Sequence, residues 1–284
     1  MVIFSNLDTK AKEFYRDKGY LQLRINDQEF KQSIKNLKLY YETADPGEGS
    51  KAFRSADGSP KQFVNIFRDP NSDAYNLYNT PIIKKLISAF TEGPAIFTNA
   101  KLSFKIPHKQ ADFFFHQDNG YNSKSDQRSG YAIFICLEAM NEKNGCLKIV
   151  PESHQLGTLQ HNRKIEHAGT GDNQLVLSDL PNSLDVVSIE GEQGDIVIFH
   201  SDTIHGSGSS TVDSKRLAVI CEVETYKSPK LDDYGHLPIF AMGQLPLPHK
   251  LTLASIRYIN PLAVWFLIKK KFPLLAKLIR RMRY

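Results

Sequence analysis

Two stretches carry residue types that hold a metal. The first is FFFHQDNG, with His116 and Asp118. The second is GDIVIFHSDTIHGSGSS, which contains His205. In a strand, residues two apart point to the same side, so His116 and Asp118 present an imidazole and a carboxylate together, and Gln117 faces away. His205, on a neighbouring strand, completes a two-histidine, one-carboxylate face. Such a face leaves coordination positions open and suits non-haem Fe(II), which needs room for a cosubstrate and oxygen. Arg216 falls early in the following strand. A guanidinium there could hold a carboxylate through two parallel hydrogen bonds.

A rival pair exists. His200-Ser201-Asp202 is a second His-x-Asp, and nine histidines in 284 residues make a chance match easy. It lies close to His205, at a strand end. Three ligands from so short a span are hard to set on one rigid face, so His200 is expected to pack or hydrogen-bond there. The Gly-rich stretch after His205 is expected to let the chain reverse tightly.

These residues need elements to position them. From about residue 95, short alternating β-branched stretches are separated by Gly, Asn and Pro. Strands are expected in AIFTNAKLSFKI, ADFFFHQD, GYAIFICLEAM, CLKIVP, LDVVSIE, GDIVIFH and RLAVICEVETY. The first quarter reads as helical: a helix ending near Gly19, another over 27–43 capped by Asp27, and one over 73–92 capped by Asp73. Strands do not alternate with helices, which excludes a doubly wound parallel sheet. A helical lead followed by antiparallel strands predicts a mainly β fold, a sandwich or jelly roll. Residues 154–182 are polar and read as a long insert of the kind that forms binding loops or lids.

The motifs HQD (116–118), NGCLKIVPESH (144–154), GDIVIFHSDTIHGSG (194–208) and Lys215-Arg216 occur in order. Together they resemble the phytanoyl-CoA dioxygenase family of Fe(II)/2-oxoglutarate oxygenases over about residues 95–225. The phrase FYRDKGYL resembles that family's start. The resemblance implies a double-stranded β-helix, a cupin-like jelly roll. It implies iron ligation by His116, Asp118 and His205, and pairing of Arg216, assisted by Ser207, with the distal carboxylate of 2-oxoglutarate. Phe134 falls where the family places an aromatic beside the cosubstrate, commonly Trp. Core packing for Phe134 and a turn role for Ser207 stay open. Gln117 and Lys101, or Ser103 beside Lys101, are implied to reach cosubstrate or substrate. The implied reaction consumes O2 and 2-oxoglutarate, releases succinate and CO2, and hydroxylates an unactivated C–H of a small or carrier-bound molecule. Related halogenases carry Ala or Gly in the carboxylate position, so Asp118 favours hydroxylation.

Composition bounds the alternatives. With 41% hydrophobic and 24% charged residues the chain reads as folded. No run reaches the roughly 18 apolar residues of a membrane span. The N-terminus turns charged from Asp8, unlike a secretory signal, and Cys136, Cys146 and Cys221 lack metal or disulfide spacing. A cytoplasmic protein is expected. The first 233 residues hold 27 basic and 31 acidic residues, whereas 234–284 hold nine basic and none acidic. One oxygenase domain over 1–233 (helical lead 1–92, jelly roll about 95–226) and a basic extension over 234–284 are expected. In that extension, 260–284 reads as a basic amphipathic helix. It either docks on the protein or meets an anionic membrane surface. No nucleic-acid motif is visible, and no residue pattern specifies an oligomer. Two other functions fit: a non-catalytic metal- or ligand-binding jelly roll, or a membrane-surface protein working through its tail.

Overall fold

Helix α1 (Thr9–Lys18) begins where Asp8 accepts a hydrogen bond from Ala11 N at 2.9 Å. It ends at Gly19, whose φ of 76° is the left-handed conformation of a helix stop. The chain enters β1 (Tyr20–Leu23) directly. Asp27 caps α2 (Gln28–Thr43), accepting from Phe30 N at 2.8 Å, and Phe30, Ile34 and Leu37 are buried as their spacing predicts. In place of one helix over 73–92 there are two, α3 (Asp73–Tyr78) and α4 (Pro81–Phe90). Pro81 is the reason. It forces the preceding residue into extended conformation, and Thr80 has ψ 149°. Asp73 is the first residue of α3. The computed structural model describes residues 2–43, 51–54, 60–64, 66, 73–91, 95–109, 111–121, 130–165, 173–178 and 185–225. The tail helix expected over 260–284 lies outside the described residues.

The remaining strands are β2 (Lys51–Arg54), β3 (Pro60–Val64), β4 (Ala95–Lys105), β5 (Phe113–His116), β6 (Gly130–Cys136) and β7 (Leu147–Ile149). They continue with β8 (His161–Ile165), β9 (Asn173–Leu177), β10 (Val187–Ile189), β11 (Ile196–His200), β12 (His205–Ser207) and β13 (Arg216–Thr225). A large sheet runs β1-β11-β6-β13-β4-β3-β2 and a small one β10-β7-β12-β5. Their strand pairs are all antiparallel. This is the expected jelly roll. Each strand predicted from the sequence is present, and β2, β3, β8, β9 and β12 are additions. The insert is not all loop: β8 and β9 pair as a hairpin, with Gln174, Leu175 and Leu177 buried.

Side-chain alternation splits the large sheet between two cores. Ile133, Ile135, Ile196, Ile198 and Val219 pack against the helices, with Phe30, Leu37, Leu77 and Leu86. Ala132, Phe134, Cys136, Val197, Phe199 and Ala218 pack against Leu147, Ile149 and Ile189 of the small sheet. The functional residues face this second layer, between the sheets. Arg24 joins β1 to the turn before β11 through two 2.7 Å hydrogen bonds to Asp195, whose side chain is 1% exposed.

Candidate metal centre

His116 is the last residue of β5 and His205 the first of β12, and the two are directly paired across the strands. Their ring centroids lie 4.3 Å apart. Asp118 is not in the strand. It opens a short 3-10 turn, Asp118–Tyr121, so the turn rather than strand alternation brings its carboxylate to the histidines. Asp118 Oδ1 is 3.9 Å from His116 Nε2 and 3.7 Å from His205 Nε2. One ligand atom from each residue lies within 4.8 Å of the other two. Among the described residues no other group of three His, Cys, Asp or Glu converges in this way.

The protons are fixed by second partners. His116 Nδ1 donates to Phe114 O at 2.6 Å and His205 Nδ1 donates to Thr203 O at 2.9 Å. A carbonyl only accepts, so both Nε2 atoms carry lone pairs. Burial pushes His116 down to about 3, helped by His205, and burial pushes His205 down to about 4. Two neutral imidazole lone pairs and a carboxylate therefore converge without a donor between them. A cation satisfies that arrangement, and the ligand set fits non-haem iron.

Gly206, after His205, is explained by close approach rather than by a turn. A Cβ there would lie 2.8 Å from Phe113 O on the neighbouring strand. Phe199 packs on the other ligand ring, 4.5 Å from that of His205, and Tyr121 stands edge-on to His116 at 5.8 Å. Sequence reasoning missed both; a residue three after Asp118 and one at the end of the GDIVIFH run were the available signals.

Arg216 opens β13 and is 2% exposed. Its NH2 group donates to Ser103 Oγ at 3.2 Å, and its guanidinium lies 5.5 Å from the centre of the Phe134 ring. Its Nε is buried without a partner, and no carboxylate among the described residues pairs with it. Burial lowers its pKa to about 10. A buried cation in this state is costly unless an anion joins it. The cavity that exposes Arg216, Ser103, Phe134 and Ser207 is the one lined by His116, Asp118 and His205. The orphaned Nε is what a carboxylate-bearing cosubstrate would satisfy.

Two further predicted residues are placed differently. Lys101 lines the cavity, but its ammonium pairs with Glu222. Burial opposes its charge; Glu222 and Asp118 outweigh that and hold its pKa above the usual lysine range. Gln117 faces away and is fully buried. Its Nε2 donates to Gly157 O at 2.8 Å and Asp202 O at 2.6 Å, and its Oε1 accepts from Leu159 N at 2.7 Å. Those bonds direct its amide into the protein instead of the cavity. The rival His200 and Asp202 are also engaged: Asp202 N donates to His200 Nδ1 at 3.1 Å, and Asp202 Oδ1 accepts from Asn119 and Thr158.

A family model described as phytanoyl-CoA dioxygenase (PhyH) matches residues 15–218. The chain belongs to the phytanoyl-CoA dioxygenase family. It is an Fe(II)/2-oxoglutarate-dependent dioxygenase, and its His-Asp-His group is the candidate iron site. Among relatives, a 2-aminoethylphosphonate dioxygenase from uncultured bacterium HF130_AEPn_1 is 27% identical over 216 residues, covering 74% of this chain and 79% of that protein. The peroxisomal phytanoyl-CoA dioxygenase of Mus musculus is 26% identical over 231 residues, covering 76% and 68%. The family fold recurs in solved structures. EvdO2 from Micromonospora carbonacea var. aurantiaca, complexed with 2-oxoglutarate, has a TM-score of 0.62 at 20% identity, covering 82% of this chain and 96% of that one. SnoK, a non-heme alpha ketoglutarate dependent carbocyclase, has a TM-score of 0.59 at 20% identity, covering 78% and 85%.

Proposed function

We propose that this dioxygenase hydroxylates an unactivated C–H bond of a small polar molecule, with His116, Asp118 and His205 holding Fe(II). Arg216 takes the distal carboxylate of 2-oxoglutarate. The observation that carries the cosubstrate assignment is the buried, partly unpartnered Arg216 in the same cavity as the three ligands. Ser207, two residues after His205 and on the cavity wall, would assist Arg216. Phe134 gives the guanidinium a dry aromatic floor. Bound iron and 2-oxoglutarate supply the oxidising chemistry, with succinate and CO2 as co-products. The protein's share is placement. The histidines stay neutral and oriented, and Asp118 supplies the negative charge and fills the position that a halide needs. Gln117 braces the ligand segments from behind.

The polar substrate class is supported by the cavity wall. Lys101 and Gln62 line it, and the Lys101 ammonium is paired with Glu222 behind. A long hydrocarbon against this wall would shut water away from its polar groups and offer them no hydrogen bond in exchange. One relative acts, by its name, on 2-aminoethylphosphonate, a small molecule bearing both charges. An anionic group on the substrate facing Lys101 would match this wall.

The test of the centre is anaerobic titration with Fe(II) and then 2-oxoglutarate, followed by visible absorption. Wild type should develop the metal-to-ligand charge-transfer band of chelated 2-oxoglutarate. His116→Ala should lose it, and Arg216→Ala should need far more cosubstrate. Iron binding by wild type without any band would defeat the cosubstrate assignment.

The wider arrangement is proposed from sequence: one oxygenase domain over 1–233, in the cytoplasm, and a basic extension that either docks on the protein or meets an anionic membrane surface. No helix among the described residues is long and apolar enough to cross a membrane.

A further inference from the structure

Strand β5, which carries His116, is the outer strand of the small sheet. Among the described residues no further strand is paired beyond it, and the outward groups of an edge need other partners. Side chains from the β8–β9 hairpin supply them. Phe114 N donates to Gln174 Oε1 at 3.2 Å, and Gln174 Nε2 donates to Asp112 O at 3.1 Å. Three residues on, Gln117 N donates to His161 Nε2 at 3.0 Å. His161 Nδ1 donates to Leu159 O at 2.9 Å, so the ring is neutral and its Nε2 is a true acceptor.

These two bonds bracket the first iron ligand. Phe114 is the residue whose carbonyl orients His116. The Gln117 peptide lies where the chain leaves the strand for the turn bearing Asp118, so sheet pairing cannot direct it. His161 is also packed on that turn. A Cβ on Gly120 would come within 2.6 Å of the His161 ring. The ring is not part of the cavity's lining.

We propose that His161 is a positioning residue of the iron centre, setting the peptide that joins His116 to Asp118 and so the angle between those ligands. The proposal rests on the assignment of His116, Asp118 and His205 as metal ligands. It gives the hairpin in the insert a task in assembling the centre, in place of the substrate contact that loops of this kind suggest.

The test uses Co(II) as the probe, titrated anaerobically into the full chain and read by its visible ligand-field bands. Melting of the metal-free protein is measured beside it. His161→Leu should weaken Co(II) binding by about 10–100-fold, the usual range for groups that orient metal ligands, and should alter the band envelope. His161→Gln, which keeps an acceptor near the Nε2 position, should restore most of the affinity. Should His161→Leu fail to fold, Gly120→Ala pushes the ring aside and should show the same loss. Wild-type affinity in His161→Leu, or in Gly120→Ala, would overturn the proposal, even if the metal-free protein melts earlier. Wild-type affinity in His116→Ala is a different failure: it removes the ligand assignment itself.

Discussion

Arg216 offers its buried Nε to no group among the described residues, and Ser103 is a neutral partner for its NH2. Removing one side of a buried charged pair costs about 2–5 kcal/mol, so Arg216→Met should weaken 2-oxoglutarate binding by that amount while leaving Fe(II) binding in place. Calorimetric titration of cosubstrate into the iron-loaded protein checks this, and equal affinities would refute it. Because the cation is unpaired without cosubstrate, the same variant should not lower the melting temperature of the unliganded protein. The histidines give a pH prediction. Folded and metal-free, His116 and His205 stay neutral down to about 3 and about 4. The unfolded chain protonates them below about 6.5, so between about pH 6.5 and 4 it binds more protons, and stability falls as pH falls. Urea unfolding of the metal-free protein at neutral and acidic pH should show the loss. A His116→Asn, His205→Asn double variant should lose less, and an unchanged pH dependence would count against buried neutral imidazoles. The identities of these residues were legible in the sequence because metal ligands must be particular residue types. Gln117 was half legible: strand alternation turned it away from the metal, but not towards Gly157, Leu159 and Asp202.

Elements were legible where local chemistry is strong. Gly19 marks a helix end by a left-handed conformation that few other residues adopt, and Asp27 marks a start by a side-chain cap. Pro81 was visible as a residue that ends helices, yet the apolar stripe continuing past it suggested one helix where there are two. Strand β12 spans only His205–Ser207, too short for any alternation, and exists because β5 and β7 flank it. The β8–β9 hairpin was hidden by its polar composition, since its anchoring bonds go to residues far along the chain. The tie between β1 and the turn before β11 belongs to this scale. Arg24→Met would leave the Asp195 carboxylate buried with only Gln22 Nε2 at 3.4 Å and Glu192 N at 2.9 Å. We expect a loss of about 1–3 kcal/mol, held below the fully buried figure because Arg24 is half-exposed. The midpoint of urea unfolding measures it, and a shift within error would show the pair to be dispensable.

In the whole molecule, helices cover one face of the large sheet and the small sheet covers the other, with the cavity in the second layer. That layering predicts which substrates enter. Release of succinate should be stimulated by 2-aminoethylphosphonate or a similar small zwitterion more than by a branched acyl-CoA. Stimulation by the acyl-CoA alone would reverse the proposed class. Lys101→Met should then raise KM for the polar substrate by about tenfold or more with little change in kcat, as lost uniform binding does. From sequence, full-length protein should co-sediment with anionic liposomes and a chain ending at about residue 258 should not; equal sedimentation would separate the tail from the membrane. The sequence by itself determined the jelly roll and pointed to the three candidate ligands and the clamp proposed for Arg216, because periodicity and residue chemistry are local properties. Only the tertiary structure decided that a turn delivers Asp118, that Arg216 Nε has no partner among the described residues, that Lys101 is bound to Glu222, and that His161 accepts from Gln117 N. Apart from the turn at Asp118, each depends on groups far apart in the chain meeting in space, and no local pattern encodes such a meeting.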